Sequence, residues 1–455
     1  MQTTHQVFTA TLTSQDMKKH IPFTVQVPPG TGTLTIRMSY TPHIVEEVSN
    51  LLTLTVLDPA GFRGAAHRNT EVMEVALQDN AASPGFFPGP IQPGEWTILV
   101  DTHLIMPDVP VHLELVLTGA DQLDPTLPSI TTVEAPAVRP SRGPGWYRGD
   151  FHTHTIHSDG DWDVTDLVAF ALDNRLDFIT LSDHNTVTGL RPFERACPEN
   201  LLPICGIELT TFWGHALVLG RREWVDWRIE PGRREMAQIV AEVEAQGGLF
   251  VIAHPEAIGD PYCTGCSWLY PDVRPGAARV VEVWNSPWCS SESRNEAGLE
   301  LALEWMSRGL RMVLTAGTDR HNPSYPAPGH GFNTVYAEEL SEAAILHAVR
   351  LGHVVLSSGP TLTLSAQTAG QNLMPGDSCR AQARETIHLS AGWGGCPPGS
   401  HLDLVVDGEK HAMTTDGPST SWDLPGGRTG WALLTLRDPD GELLALTNPI
   451  YFDGR

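Results

Sequence analysis

Between Gly149 and Pro360 short apolar runs alternate with stretches of helical spacing, and this rhythm restricts the fold more than any other feature of the chain. VTDLVAFALDNR repeats apolar residues at helical intervals and leads into DFITL; RREMAQIVAEVEAQGG does the same, stops at glycine, and leads into LFVIA. ARVVEVW, a helix around SESRNEAGLELALEWMSRG, RMVLTAG, a helix at SEAAILHAVRLG and VVLSSG continue the series. Strands alternating with helices predict a parallel α/β domain over 145–360, and barrels of this kind gather their sites at the carboxyl ends of the strands.

The flanks read differently. In residues 1–120, TGTLTIRMSY, NLLTLTVLDPAG, EWTILVDTH and VPVHLELVL alternate apolar and polar positions between Gly/Pro turns, which predicts a β-sandwich or jelly roll serving as a lid or support. Residues 121–144 are Pro-rich and aperiodic, as in an extended linker. From 361 to 455, TLTLSA, TIHLSAGW, LDLVVDG and WALLTLRDP return to alternation and predict a second, small β domain. The fold class expected is therefore multidomain α/β with a β domain on either side.

A formal charge of −25 argues against a nucleic-acid polymer as partner, since Lys and Arg neutralising phosphates supply most of that affinity. A small anion is not excluded, because bound divalent ions reverse the local field. The N-terminal MQTTHQVFTATLTSQDMKKH has no basic start followed by an apolar run, and no stretch approaches the ~20 apolar residues of a membrane span; the expectation is a cytoplasmic chain. The 7 cysteines are odd in number and scattered, so no disulfide framework is expected.

Chemistry-bearing residues sit at the ends of the predicted strands. In GDFHTHTIHSDGD, His152 and His154 are two apart and share a face if extended, with Asp159 a short reach away. DFITLSDHN ends in Asp183 and His184; ICGIELTTFWGHALVLG carries Glu208 and His215; GGLFVIAHPEA delivers His254; RMVLTAGTDRHN delivers Asp319 and His321. Each residue alone is unremarkable. Repeated over five strand ends, His, Asp and Glu form the pattern of a metal site.

The ordered set HxHxxxxD, DH, GxE, AHP and GTDxH resembles the polymerase-and-histidinol-phosphatase (PHP) superfamily of metallohydrolases. HPEAIGDPYCTGCSW, VVEVWN and VLSSGP resemble its carbaryl-hydrolase branch. The resemblance covers about Gly149 to Pro360. It implies a distorted seven-stranded (β/α) barrel holding two or three divalent ions. By motif, His152, His154, Glu208 and Asp319 would hold the first ion; Glu208 would bridge to a second completed by His215 and His254; Asp159, His184 and His321 would hold a third. Asn285 or Cys289 compete with His215 for its place, and His157 is read as exposed or behind the ligands.

Mixed nitrogen and oxygen ligands favour Zn, Mn or Fe over Ca and Mg. The expected activity is hydrolysis of a small phosphate mono- or diester by a metal-bridging hydroxide, with Glu208, Asp319 and His321 as the residues assigned to catalysis. On the substrate side stand Asn285, Arg294, Arg320 and Trp268; Asn285 is read equally as a support behind the ligands, and Arg320 competes equally with a salt bridge behind the site. The loop DPYCTGCSWLYPD, with Cys263 and Cys266 in CxxC spacing and Tyr262, Trp268 and Tyr270 as aromatic surface, is read as a substrate-side loop against ordinary loop packing. Rival readings are a carbamate or carboxylic ester hydrolase using the same ions, a non-catalytic metal-bound binding protein and, least favoured by the charge, a proofreading exonuclease module. A phosphate pocket should present Arg or Lys near the ions, whereas a carbamate pocket can be apolar.

Overall fold

Alternation in VPVHLELVL puts Val111, Leu113, Leu115 and Leu117 on one face of the strand Val109–Gly119, and all four are buried. In the computed structural model, which describes residues 3–119 and 142–454 apart from 231, 272, 274–276, 324–327, 369 and 416, this strand belongs to a four-stranded antiparallel sheet. Its order is Thr4–Leu12, Val109–Gly119, Thr31–Tyr40, Val72–Gln78. A second sheet runs His20–Val27, Gly94–Leu104, Leu51–Asp58, Gly61–Ala66. Ile36 and Leu113 of the first sheet and Leu54, Val56 and Ile98 of the second share one core, each such side chain contributing about 1.5–3 kcal/mol of burial free energy. The expected linker lies, but for residues 142–144, outside the described residues.

The far end of Gly94–Leu104 breaks the alternation: Asp101, Thr102 and His103 are all fully buried. The central region covers them. His103 packs on Phe212 with ring centroids 4.9 Å apart, His20 on Trp227 at 4.8 Å, and Phe62 stacks on Trp224 at 4.2 Å. Arg68 donates to the carbonyls of Ser158 and Ile156 at 3.2 and 3.3 Å, and Lys18 pairs with Asp260 at 2.7 Å.

In the central region seven strands follow one another in chain order: Gly145–Asp150, Phe178–Leu181, Leu202–Thr211, Gly214–Leu219, Leu249–Ile252, Val280–Asn285 and Val313–Gly317. Helices Val164–Asp173, Met236–Ala245, Asn295–Ser307 and Glu342–Leu351 form where the apolar spacing predicts them, the first capped by the Asp163 carboxylate and the last ended by Gly352 at φ 83°. The sheet is mixed rather than parallel. Gly214–Leu219 runs antiparallel to both neighbours, because only Phe212 and Trp213 separate it from the preceding strand, and a parallel crossover needs a dozen residues or more. A single bridge, Thr153 to Arg320, joins the chain after the first of these strands to the chain after the last.

The hydrogen-bonded sheet does not stop at residue 360. Gly145–Asp150 pairs with Phe332–Ala337, that strand with Val354–Ser357, and that in turn with Leu443–Thr447 near the carboxyl end. The Asn448 amide donates to the carbonyls of Leu314 and Val354 at 2.8 and 3.0 Å and accepts from the Leu314 N–H at 2.8 Å, stitching the two regions together. A separate antiparallel sheet, Gln371–Leu373, Thr361–Thr368, Thr386–Gly394, Ser419–Pro425, closes over a third core. Among the described residues no helix is long and apolar enough to cross a membrane.

Candidate metal centre

The extended segment after Gly145–Asp150 turns His152 and His154 the same way, with ring centroids 5.0 Å apart, while Thr153 between them points back to the Thr180 carbonyl. Both imidazoles meet the same two carboxylates. His152 Nε2 lies 3.2 Å from Glu208 Oε2 and 3.3 Å from Asp319 Oδ1; His154 Nε2 lies 3.3 and 3.0 Å from the same atoms. The other Glu208 oxygen is 3.1 Å from His215 Nδ1 and 3.3 Å from His254 Nε2. Asp159 spans His184 Nε2 at 3.4 Å and His321 Nε2 at 3.3 Å. Every residue assigned to an ion from the sequence therefore falls in one cluster.

Three groups within it could each hold an ion: His154, Asp159, His184 and His321; His152, His154 and Asp319; His152, Glu208 and His254. His215 stands outside these groups but touches Glu208. Despite their proximity, His152 Nε2, His154 Nε2, Glu208 Oε2 and Asp319 Oδ1 are buried without a hydrogen-bond partner. Buried polar atoms are nearly always paired, so donors this close yet misaligned call for a shared cation. Ligands about 2.0–2.2 Å from one ion lie roughly 2.9–3.4 Å from each other, which is the spacing seen.

Charge is balanced within the cluster. Burial disfavours an ionised Glu208, but His152, His184 and His215 offset it and hold its carboxyl well below the usual range. Asp319 is likewise held low against burial by His152, His154 and His321. Burial opposes charge on His152 and His184 too, yet the facing carboxylates raise both well above an ordinary imidazole, and Asp159 helps lift His321 to about 9. His254 and Asp319 have φ of 24° and 51°, left-handed backbone that costs about 1–3 kcal/mol each and marks the two turns that aim these ligands.

A residue the sequence reading missed stands behind His152. Glu282, in the strand Val280–Asn285, accepts from His152 Nδ1 at 3.1 Å, from the His254 N–H at 3.2 Å and from the Asn285 amide at 3.2 Å. It fixes the ring so that Nε2 faces the cluster. Gly317 makes room for this bond: a Cβ there would come within 2.0 Å of Glu282 Oε1 and 2.4 Å of His152 Cβ. A glutamate inside VVEVW was the available signal. Glu282→Gln should weaken metal affinity about 10–100-fold with the fold intact, read by metal titration and circular dichroism.

Of the residues expected on the substrate side, Asn285 lies behind a ligand and none of the four lines the cavity. Asn285 is buried, donates to Asp319 Oδ2 at 3.2 Å and accepts from Ser293 Oγ at 3.0 Å, so it braces a ligand from behind. Arg320 is buried on the opposite face with its guanidinium 5.2 Å from the Phe170 ring centroid. Arg294 is exposed, at φ 50°, where the chain enters the helix Asn295–Ser307. Trp268 is a core residue against Phe250 and Tyr270. Cys289 is exposed and so is no rival to His215. His157 bonds Thr188 at 2.9 Å, and Asp183 binds Thr155 and Ser158 rather than joining the cluster.

Above the cluster opens a cavity of about 240 Å³. Tyr262, Cys263, Thr264 and Cys266 line one side, while Trp268 and Tyr270 of the same loop are buried in the core. Cys263 and Cys266 form a disulfide, a local pairing that the scattered cysteines gave no reason to expect. The opposite side comes from the N-terminal sheets: Ser49, Leu51, His67, Asn69 and Leu104. A region read as lid or support thus enters the site itself, and the alternation of its strands carried no sign of it. Burial, with His184 beside it, depresses the His67 imidazole to about 3.

No curated protein matches the chain. Among solved structures, a two-domain protein of Bacteroides vulgatus, described as containing a predicted PHP-like metal-dependent phosphoesterase, aligns at 16% identity over 71% of this chain and 100% of its own, with a TM-score of 0.40. An amidohydrolase from Chromobacterium violaceum aligns at 15% identity over 39% of this chain and 88% of its own, with a TM-score of 0.28. Scores of this size do not establish a shared overall fold. The family model that matches is the PHP domain, over residues 150–249, the segment that carries His152, His154, Asp159, His184, Glu208 and His215.

Proposed function

We propose that the chain is a metal-dependent hydrolase that cleaves a small phosphate mono- or diester at this cluster. The observation that carries the reading is the set of buried nitrogen and carboxylate lone pairs of His152, His154, Glu208 and Asp319, close together and unbonded, with Glu208 and Asp319 also lining a cavity. In this reading the three donor groups take two or three ions of Zn, Mn or Fe, and the seven strands with their closing bridge form a distorted barrel between a β-sandwich and a C-terminal β domain.

When bound, such ions supply Lewis-acid charge and lower the pKa of water from 15.7 to about 7. The chain's own residues do the rest. Glu282 orients His152, Asn285 leaves Asp319 Oδ1 turned inward by holding Oδ2, and His321, on the Asp159 side, borders the cavity where an ester oxygen would lie.

A second reading has an observation of its own. No Arg or Lys lines the cavity among the described residues, an arrangement that a neutral carbamate or carboxylic ester tolerates and that is not expected of a phosphate pocket. Elemental analysis after Mn or Zn supplementation, with 4-nitrophenyl phosphate, its bis-diester and 1-naphthyl carbamate assayed on the same preparation, separates the two. Phosphoester turnover with two or three ions is expected; carbamate turnover alone replaces the substrate class, and a protein without metal or turnover ends the proposal.

A further inference from the structure

His67 follows the strand Gly61–Ala66 and reaches the cavity from the N-terminal side. It is 9% exposed, its Nδ1 is buried without a hydrogen-bond partner, and its ring centroid lies 4.6 Å from that of His184. Its position is fixed on both sides. The next residue, Arg68, is tied to the carbonyls of Ile156 and Ser158 in the loop that carries the first metal motif. Behind it the fully buried His103 meets it edge-on at 5.1 Å and is itself bonded to Thr53 at 3.2 Å. An unpartnered buried nitrogen is costly, and a ring held at the edge of a cavity is placed to contact what enters it.

Resting on the hydrolase reading above, we propose that His67 is a substrate-binding residue, lent to the metal pocket by the N-terminal sheets, that hydrogen-bonds an oxygen of a compact phosphate monoester. The cavity sets the size. At about 240 Å³ it falls below the roughly 300–1,000 Å³ of ordinary small-molecule sites, and it is walled by the N-terminal sheets on one side and the disulfide loop on the other. Leu51 and Leu104 line the same cavity as His67, which suits a short leaving group with an apolar face.

The test uses the full chain loaded with Mn and the variants His67→Ala and His67→Gln. Inorganic phosphate binding is measured by calorimetry, metal content by elemental analysis, and KM with 4-nitrophenyl phosphate. His67→Ala should bind phosphate about tenfold more weakly and raise KM about as much at unchanged metal content, and His67→Gln should recover most of the loss. Phosphate binding equal to wild type in His67→Ala overturns the inference, as does loss of metal from that variant, because His67 would then serve the centre and not the substrate. A wild-type protein that turns over no ester, yet binds phosphate more tightly than His67→Ala does, overturns the hydrolase reading and keeps His67 as an anion contact.

Discussion

Glu208→Gln should leave a folded protein that retains less than about 1% of wild-type turnover and has lost at least one metal ion. Glu208 is fully buried, and its two oxygens face different imidazoles: His152 and His154 at one, His215 and His254 at the other. An amide keeps the shape but replaces one oxygen by a hydrogen-bond donor, which cannot ligate a cation and presents its protons to histidines already crowded with charge. Removing one partner of a buried ionic cluster costs about 3–5 kcal/mol. The thermal midpoint should therefore fall as well, although the three separate hydrophobic cores keep the chain folded. Elemental analysis, steady-state kinetics and a melting curve on one preparation read all three effects; full metal occupancy with undiminished turnover would remove Glu208 from the centre.

Metal affinity should rise with pH by about tenfold per unit for each proton displaced. Without a cation, carboxylates hold His152 and His184 protonated well above the usual imidazole range and His321 up to about 9. A cation must expel those protons before it can take the nitrogens. The sign follows: a group whose proton is held more tightly in the free protein resists metal below its raised pKa and ceases to resist above it. Affinity should thus climb from pH 6 upward, and the share of that dependence owed to His321 should end near pH 9 as its ring loses its proton. Calorimetry in two buffers of different ionisation enthalpy measures the protons released; a pH-independent affinity with no release would mean that the histidines are not the ligands.

Much of the cluster is legible in the sequence because period-two geometry and strand-end placement are local properties. His152 and His154 had to share a face once the segment was extended; Arg320 does point away from the ligands on either side of it, although the left-handed Asp319 makes that segment a turn and not a strand. The helices were legible for the same reason, their apolar spacing and caps being contained within a dozen residues. What could not be read depends on contacts between distant segments. Glu282 reaches His152 across 130 positions, and His67 reaches the cavity from a separate pair of sheets. Trp268 and Arg294 were assigned to the substrate by aromaticity and charge, properties that do not distinguish a core ring or an exposed cation from a ligand contact. The antiparallel Gly214–Leu219 was within reach, since a two-residue connection already forbids a parallel crossover.

The pairing of Val354–Ser357 with Leu443–Thr447, and the Asn448 amide that grips Leu314, set a timetable for the protein's manufacture. During synthesis the central strands leave the ribosome well before their last neighbour exists. Until residue 448 has emerged, Val354–Ser357 is an open edge, and the backbone of Leu314 lacks the side chain that satisfies both its N–H and its carbonyl. At about 5–20 residues per second the wait amounts to roughly 5–20 s for the open edge and somewhat longer for Leu314. Over that interval the nascent chain carries an open strand edge that a holding chaperone can cover, and the arrival of Leu443–Thr447 rather than collapse of the core seals the sheet.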